Sequence, residues 1–267
     1  MTYLSPFMTL LINAVKKASA SLNRDFSEVE RLQASVKSYR DFVVSAYTRV
    51  EKSLQVELGK IKPSYAFAKN GQPKPKGSYF MISPLDGLTN FAHGIAHFSV
   101  SVAVFENNAV TAAVVYNPAA DELYFAEKGK GAFKEGFRNH ERLRVSSRKD
   151  LTEALVSATV SYNSEIGDYL RIHDNIVREL DNVRVLGAVS MDLAYVAAGK
   201  LDAAVSLGCQ SNDIAAGMLL VKEAGGYIYD YRQKDIRSEN LNAVLESGNL
   251  IAVNASMNTK VVELLQK

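Results

Sequence analysis

Residues 98–105 and 109–116 are two runs of alternating, β-branched sequence separated only by Glu106-Asn107-Asn108, and no other stretch constrains the fold as strongly. Side chains along a strand alternate between its two faces, so both runs read as strands and the short polar break as the turn of an antiparallel hairpin. Residues 123–127 add a further strand and extend the hairpin into a meander. On the N-terminal side the period changes. Apolar residues recur at helical spacing over 4–20, and Phe42, Ala46, Val50 and Leu54 repeat every four residues across 41–58, which predicts two amphipathic helices. Gly71, Pro73, Pro75 and Gly77 mark 68–78 as an exposed loop.

Beyond about residue 150 the pattern becomes layered, with short strands at 154–159 and 203–206 alternating with helices at 169–180, 191–198 and 213–224. The expected fold class is α/β (α+β), a layered sandwich forming one unit over residues 1–267, with possible sub-halves 1–150 and 151–267. At 267 residues and 47% hydrophobic content the chain can bury a sizeable core. The 31 basic and 29 acidic residues leave a net charge of +2 with no run of five like charges, so composition gives nucleic-acid binding no support. A lone cysteine, Cys209, excludes an intrachain disulfide or a C-x-x-C site and suits a reducing compartment, the cytoplasm. The apolar run at 7–12 is too short to span a bilayer and has no basic leader, so neither a membrane span nor a signal peptide is expected.

The chemistry concentrates in two motifs. Ile82-Ser83-Pro84-Leu85-Asp86-Gly87-Leu88-Thr89-Asn90-Phe91, continued by 92–101, resembles the D-P-L-D-G-T-T-N-F-x-H-G signature of inositol monophosphatases, magnesium-dependent enzymes that cleave phosphate monoesters. Asn212-Asp213-Ile214-Ala215-Ala216-Gly217 is similar to the family's W-D-x-A-A-G, and Glu223-Ala224-Gly225-Gly226 to its E-A-G-G. Tyr116-Asn117-Pro118, 123–133 and 192–202 also fall in family order, so the resemblance, to the bacterial extragenic-suppressor type, covers most of the chain. It implies the inositol monophosphatase/sugar phosphatase-like fold and a homodimer.

The resemblance also implies six acidic positions around a centre of two or three Mg²⁺ ions, one ion making a nucleophilic water and another supporting the leaving oxygen. On this chain those positions are Tyr47, Asn70, Gly71, Ser83, Asp86 and Asp213, so two carboxylates remain. Two dications about 4 Å apart repel by roughly 16 kcal/mol at an effective dielectric of about 20, and neutral Ser83 offsets none of it. Asp86, Asp213 and the Leu85 carbonyl are expected to hold one weak ion at most. Water activation by the loop Glu and the first motif Thr falls on Asn70 and Leu88, neither of which is a base, so the catalytic set is not intact. The backbone N–H groups of Gly87, Leu88 and Thr89, opening a helix, remain an expected phosphate cradle. Gly187, Ala188 and Ser206 fall at the substrate rim.

Plainer readings stand beside these. Asp86 and Asp213 also read as helix N-caps, His93 and His97 as structural residues without a third metal ligand, and Cys209 as a buried thiol. Asp41 and Lys37 keep family identities on the rim and read equally as salt-bridge residues. Two functions follow: a weak or inactive phosphatase by lineage, acting on a sugar or inositol phosphate, or a non-catalytic binding protein with a protein partner in transcription and ribosomal RNA antitermination.

Overall fold

The computed structural model describes residues 4–32, 39–160, 166–180, 182–233 and 240–266. Two long helices open the chain, α1 (Pro6–Leu32) and α2 (Tyr39–Ile61). The first runs well past residue 20 because its apolar stripe continues, with Leu22 and Val29 both buried.

Seven strands then form one sheet in sequence order: β1 (Ala66–Phe67), β2 (Tyr79–Asp86), β3 (Ser99–Glu106), β4 (Ala109–Asn117), β5 (Glu122–Glu127), β6 (Gly131–Lys134) and β7 (Glu141–Arg142). β1 pairs with β2 in parallel and the remaining neighbours are antiparallel. The expected hairpin is β3–β4, closed by Asn107 and Asn108, whose φ angles of 50° and 60° are those of a two-residue primed turn. A short helix, α3 (Leu88–Ala92), follows β2 directly.

The second sheet contains β8 (Leu155–Val160), β9 (Asn182–Arg184), β10 (Ala203–Leu207), β11 (Tyr227–Tyr229) and β12 (Leu250–Val253), in the order β11-β12-β10-β8-β9. Its helices are α4 (Ile166–Glu179), α5 (Val189–Ala197), α6 (Ser211–Glu223), α7 (Leu241–Ser247) and α8 (Asn258–Gln266). The predicted helices and strands of this half are present, with ends that move by a few residues.

Strand β3 is buried on both faces, and this sets the layering. Val100, Val102 and Val104 pack with Leu11, Val15, Val50 and Leu54 of α1 and α2, whereas Ala103 and Phe105 face the layer of α5 and α6. That middle helix layer also packs on Ala204 and Ala252 of the second sheet. On the far side, Val156 and Val205 meet Ile172 and Ile176 of α4 and Val261 and Leu265 of α8. The result is a sandwich of helix, sheet, helix, sheet and helix layers. No described helix is long and apolar enough to cross a membrane.

The A-A-G of the second motif acquires a packing reason in this layer. A Cβ on Gly217 would lie 2.5 Å from Leu193 Cβ, so glycine is what lets α6 approach α5.

Candidate functional site

The two motifs meet where the C-terminal end of β2 reaches the N-terminal end of α6. Asn212 anchors the junction, its Nδ2 donating to the Ile82 carbonyl at 3.1 Å. Beside it the Ser83 hydroxyl, 1% exposed, donates to Asp213 Oδ1 at 2.5 Å. This bond spans 130 residues and joins the two motifs through their site positions.

Asp86 ends β2 and is partly exposed. It is not the N-cap of α3: that place belongs to Gly87, at φ 82°, and no side chain caps this helix. The Asp86 Oδ2 instead accepts the Ser190 N–H at 2.7 Å, which makes it the acceptor for a first-turn amide of α5 from another part of the fold. Asp213 is likewise no cap, since Gln210 takes that place and Asp213 stands third in α6 after Ser211 and Asn212. Ser190 ties the acids together, because its hydroxyl donates to the Asp213 carbonyl at 2.5 Å.

Both carboxyls hold their protons more tightly than an ordinary aspartate. Asp86 is raised well above the usual range, first by desolvation and then by the charge of Asp213, against the opposing hydrogen bond from Ser190. Desolvation pushes Asp213 up to about 6, against the stabilising bond from Ser83. Desolvation disfavours the charged form of each, and at Asp86 a like charge adds to it.

Tyr47, on α2, reaches the same region: its phenol is pushed up to about 12 by burial, then by the charges of Glu51 and Asp213. Glu51 was not singled out from the sequence, although it lies one helical turn beyond Tyr47 and that spacing was a usable signal. Ser190, also overlooked, carries no recognisable motif.

Asn70 and Gly71 are exposed and line a recess of about 180 Å³ together with Lys69, Lys74 and Ser211. Among the described residues, no three or more His, Cys, Asp or Glu side chains converge as metal ligands. Leu85, whose carbonyl was expected to join the acids, is buried in β2.

At the expected anion cradle, Gly87 turns the chain into α3, and Leu88 and Thr89 are exposed. Gly87 permits no side chain, as a Cβ there would sit 2.9 Å from the His97 carbonyl and 3.1 Å from Ala188 Cβ. Asn90 locks the segment by donating to the carbonyls of His97 and Leu186, both at 2.7 Å.

The rim expectation needs correction. Ser206 and Ala188 are 0% exposed, one inside β10 and the other at the start of α5, because both belong to layers covered on two sides. Gly187 remains beside Asn90, whose Nδ2 would be 3.3 Å from an added Cβ. His97 lies next to the buried Asp192, 3.6 Å from Nε2 to Oδ1, and near the Tyr195 ring, which is a structural setting. The Cys209 thiol is pushed up by desolvation and by the charges of Asp213 and Asp86, the reverse of activation. Asp41 falls in the first turn of α2, and Lys37 lies outside the described residues.

Comparison with known proteins gives consistent likenesses. The model of the inositol monophosphatase family matches residues 3–267. An inositol-1-monophosphatase of Rhizobium meliloti is 38% identical over 98% of this chain and 97% of its own length. A Nus factor SuhB of Xylella fastidiosa is 33% identical over 86% of this chain and 84% of its own. The crystal structure of the extragenic suppressor protein suhB from Bartonella henselae superposes with a TM-score of 0.83 at 35% identity, covering 98% of this chain and 99% of that one.

Proposed function

This chain belongs to the inositol monophosphatase family, and from that premise we propose that it keeps the family scaffold and a phosphate-binding backbone while its hydrolysis of phosphate monoesters is weak or absent. The observation that carries this reading is the Ser83–Asp213 hydrogen bond. A hydroxyl stands where the resemblance places a bridging carboxylate, and it directs its only proton at one of the two remaining acids. That acid is then supported by an internal donor.

The family is generally metal-dependent, and Mg²⁺ is the expected ion. Asp86 and Asp213 would hold a single weakly bound ion at most, since Mg²⁺ keeps several waters and uses few carboxylates. With Asn70 and Leu88 at the water-positioning places, neither side chain there can take a proton from an attacking water, which removes assistance worth roughly 10²–10⁴-fold. What persists is an anion site for a small phosphorylated ligand at Gly87, Leu88 and Thr89.

A second reading is favoured by the likeness to the Xylella protein named a Nus factor. In it, the chain works by binding a protein partner in transcription, and the loss of ligands carries no functional cost.

The test is calorimetric titration with Mg²⁺ together with phosphate release from inositol 1-phosphate. The expected result is one weak site and negligible release in the native chain, with tighter metal binding after Ser83→Asp combined with Asn70→Glu. Two-site binding with turnover of about 1 s⁻¹ or more would overturn the proposal.

A further inference from the structure

A cavity of about 360 Å³ opens away from the motif junction, between the β3–β4 hairpin, the C-terminal half of α6 and α7. Its lining residues on α6 begin at Met218 and end at Glu223, about 8–15 Å along the helix from Asp213. The interior is apolar, walled by Phe105, Val110, Met218, Leu219, Leu241 and Leu245. That volume lies within the range of small-molecule sites.

Several local devices build this cavity. The β3–β4 register shifts between Val104 and Phe105, a bulge that re-aims the strand beside Phe105 and Val110. The Phe105 ring is held by stacking on Tyr79, with centroids 4.6 Å apart and planes at 8°. At the mouth, the Glu223 carboxylate accepts the N–H groups of Gly129 and Gly131, each at 2.8 Å, and so fixes the turn that carries Lys128. Asn240 Oδ1 accepts the Ala243 N–H at 3.0 Å and fixes the start of α7.

Charge decides the kind of ligand. Lys128 and Lys222 stand at the mouth, and among the described residues no carboxylate pairs with Lys128. Lys222 lies over the Tyr227 ring at 5.5 Å, and both oxygens of Glu223 are already engaged by backbone donors. An apolar interior under a cationic mouth matches an amphipathic monoanion. We propose that this cavity binds a small hydrophobic carboxylate, its apolar body between α6 and α7 and its carboxylate on Lys128. The site is separate from the motif junction and independent of whether hydrolysis survives there.

The probe is naphthalene-2-carboxylate, titrated into the full chain by calorimetry and by NMR of ¹³C-methyl methionine, with the neutral naphthalene-2-carboxamide alongside. The expected result is one saturable site at about 1 mM or tighter, with the Met218 methyl, assigned through Met218→Leu, shifting on binding. The carboxamide, and the acid with Lys128→Glu, should each bind about fivefold more weakly. Leu219→Trp should fill the cavity and abolish binding while far-UV circular dichroism stays native. Should that variant fail to fold, Val110→Phe fills the space from the opposite wall under the same criterion. No saturable binding, a stationary Met218 methyl, equal affinity for acid and amide, or undiminished binding by a folded filling variant would each overturn the assignment.

Discussion

Replacing Ser83 by Ala isolates the bond that distinguishes this cleft. The native hydroxyl is buried and lies 2.5 Å from Asp213 Oδ1, within the range of a charge-assisted O–H···O⁻ bond. Such bonds to an ionised group contribute about 1.5–3 kcal/mol, against about 0.5–1.5 for a neutral pair. Desolvation pushes the Asp213 carboxyl up to about 6 in the folded chain, above its unfolded value, so folding gains protons there and stability falls as pH rises through that region. Removing the Ser83 donor raises the folded value further. The penalty of Ser83→Ala should then be largest once Asp213 is ionised: about 1.5–3 kcal/mol at pH 8 and about 1 kcal/mol at pH 5. Urea denaturation of both proteins at the two pH values, with chelator present, measures the difference. A penalty that is equal at both, or below about 0.5 kcal/mol at pH 8, would refute the claim that Ser83 supports an ionisable Asp213.

Two further outcomes follow from packing and charge. Gly217→Ala places a methyl 2.5 Å from Leu193 Cβ, so overpacking of about 1–3 kcal/mol should exceed the helix gain of about 1 kcal/mol; thermal unfolding should show a net loss. Glu122 is bound by Lys134 at 2.8 Å and Lys200 at 3.0 Å, and although burial opposes ionisation, these lysines lower its carboxyl from 4.5 to about 2. Its contribution is present above about pH 4.5 and is lost as pH falls towards 2, so Glu122→Gln should cost roughly 1–2 kcal/mol at pH 7 and little near pH 2, as read from acid-unfolding curves of the two proteins.

Elements whose pattern is local were legible in the sequence. The hairpin follows from alternation at 98–105 and 109–116 and from two asparagines able to adopt positive φ, and α2 follows from its four-residue repeat. Helix α1 was read too short because its second half mixes charged residues among the apolar positions, with Arg24, Asp25 and Glu28 between Leu22 and Val29. The motifs named candidate residues but not their partners. Asp86 read as a local cap because it precedes a helix, whereas its acceptor role is for Ser190, 104 residues away. Ser206 and Ala188 read as rim residues because a motif position carries no information on depth, and both prove to be enclosed.

The sequence by itself determined the order of elements, the family and the poverty of acids at the motif positions, because periodicity and residue identity are properties of short stretches of chain. The tertiary structure alone decided that Ser83 donates to Asp213 and that Tyr47 comes near it. It likewise decided that desolvation holds Asp86 and Asp213 above the ordinary carboxylate range, with the charge of Asp213 adding to the shift of Asp86. Hydrogen bonding and desolvation depend on which atoms are neighbours in space, and here those neighbours come from α2, β2, α5 and α6.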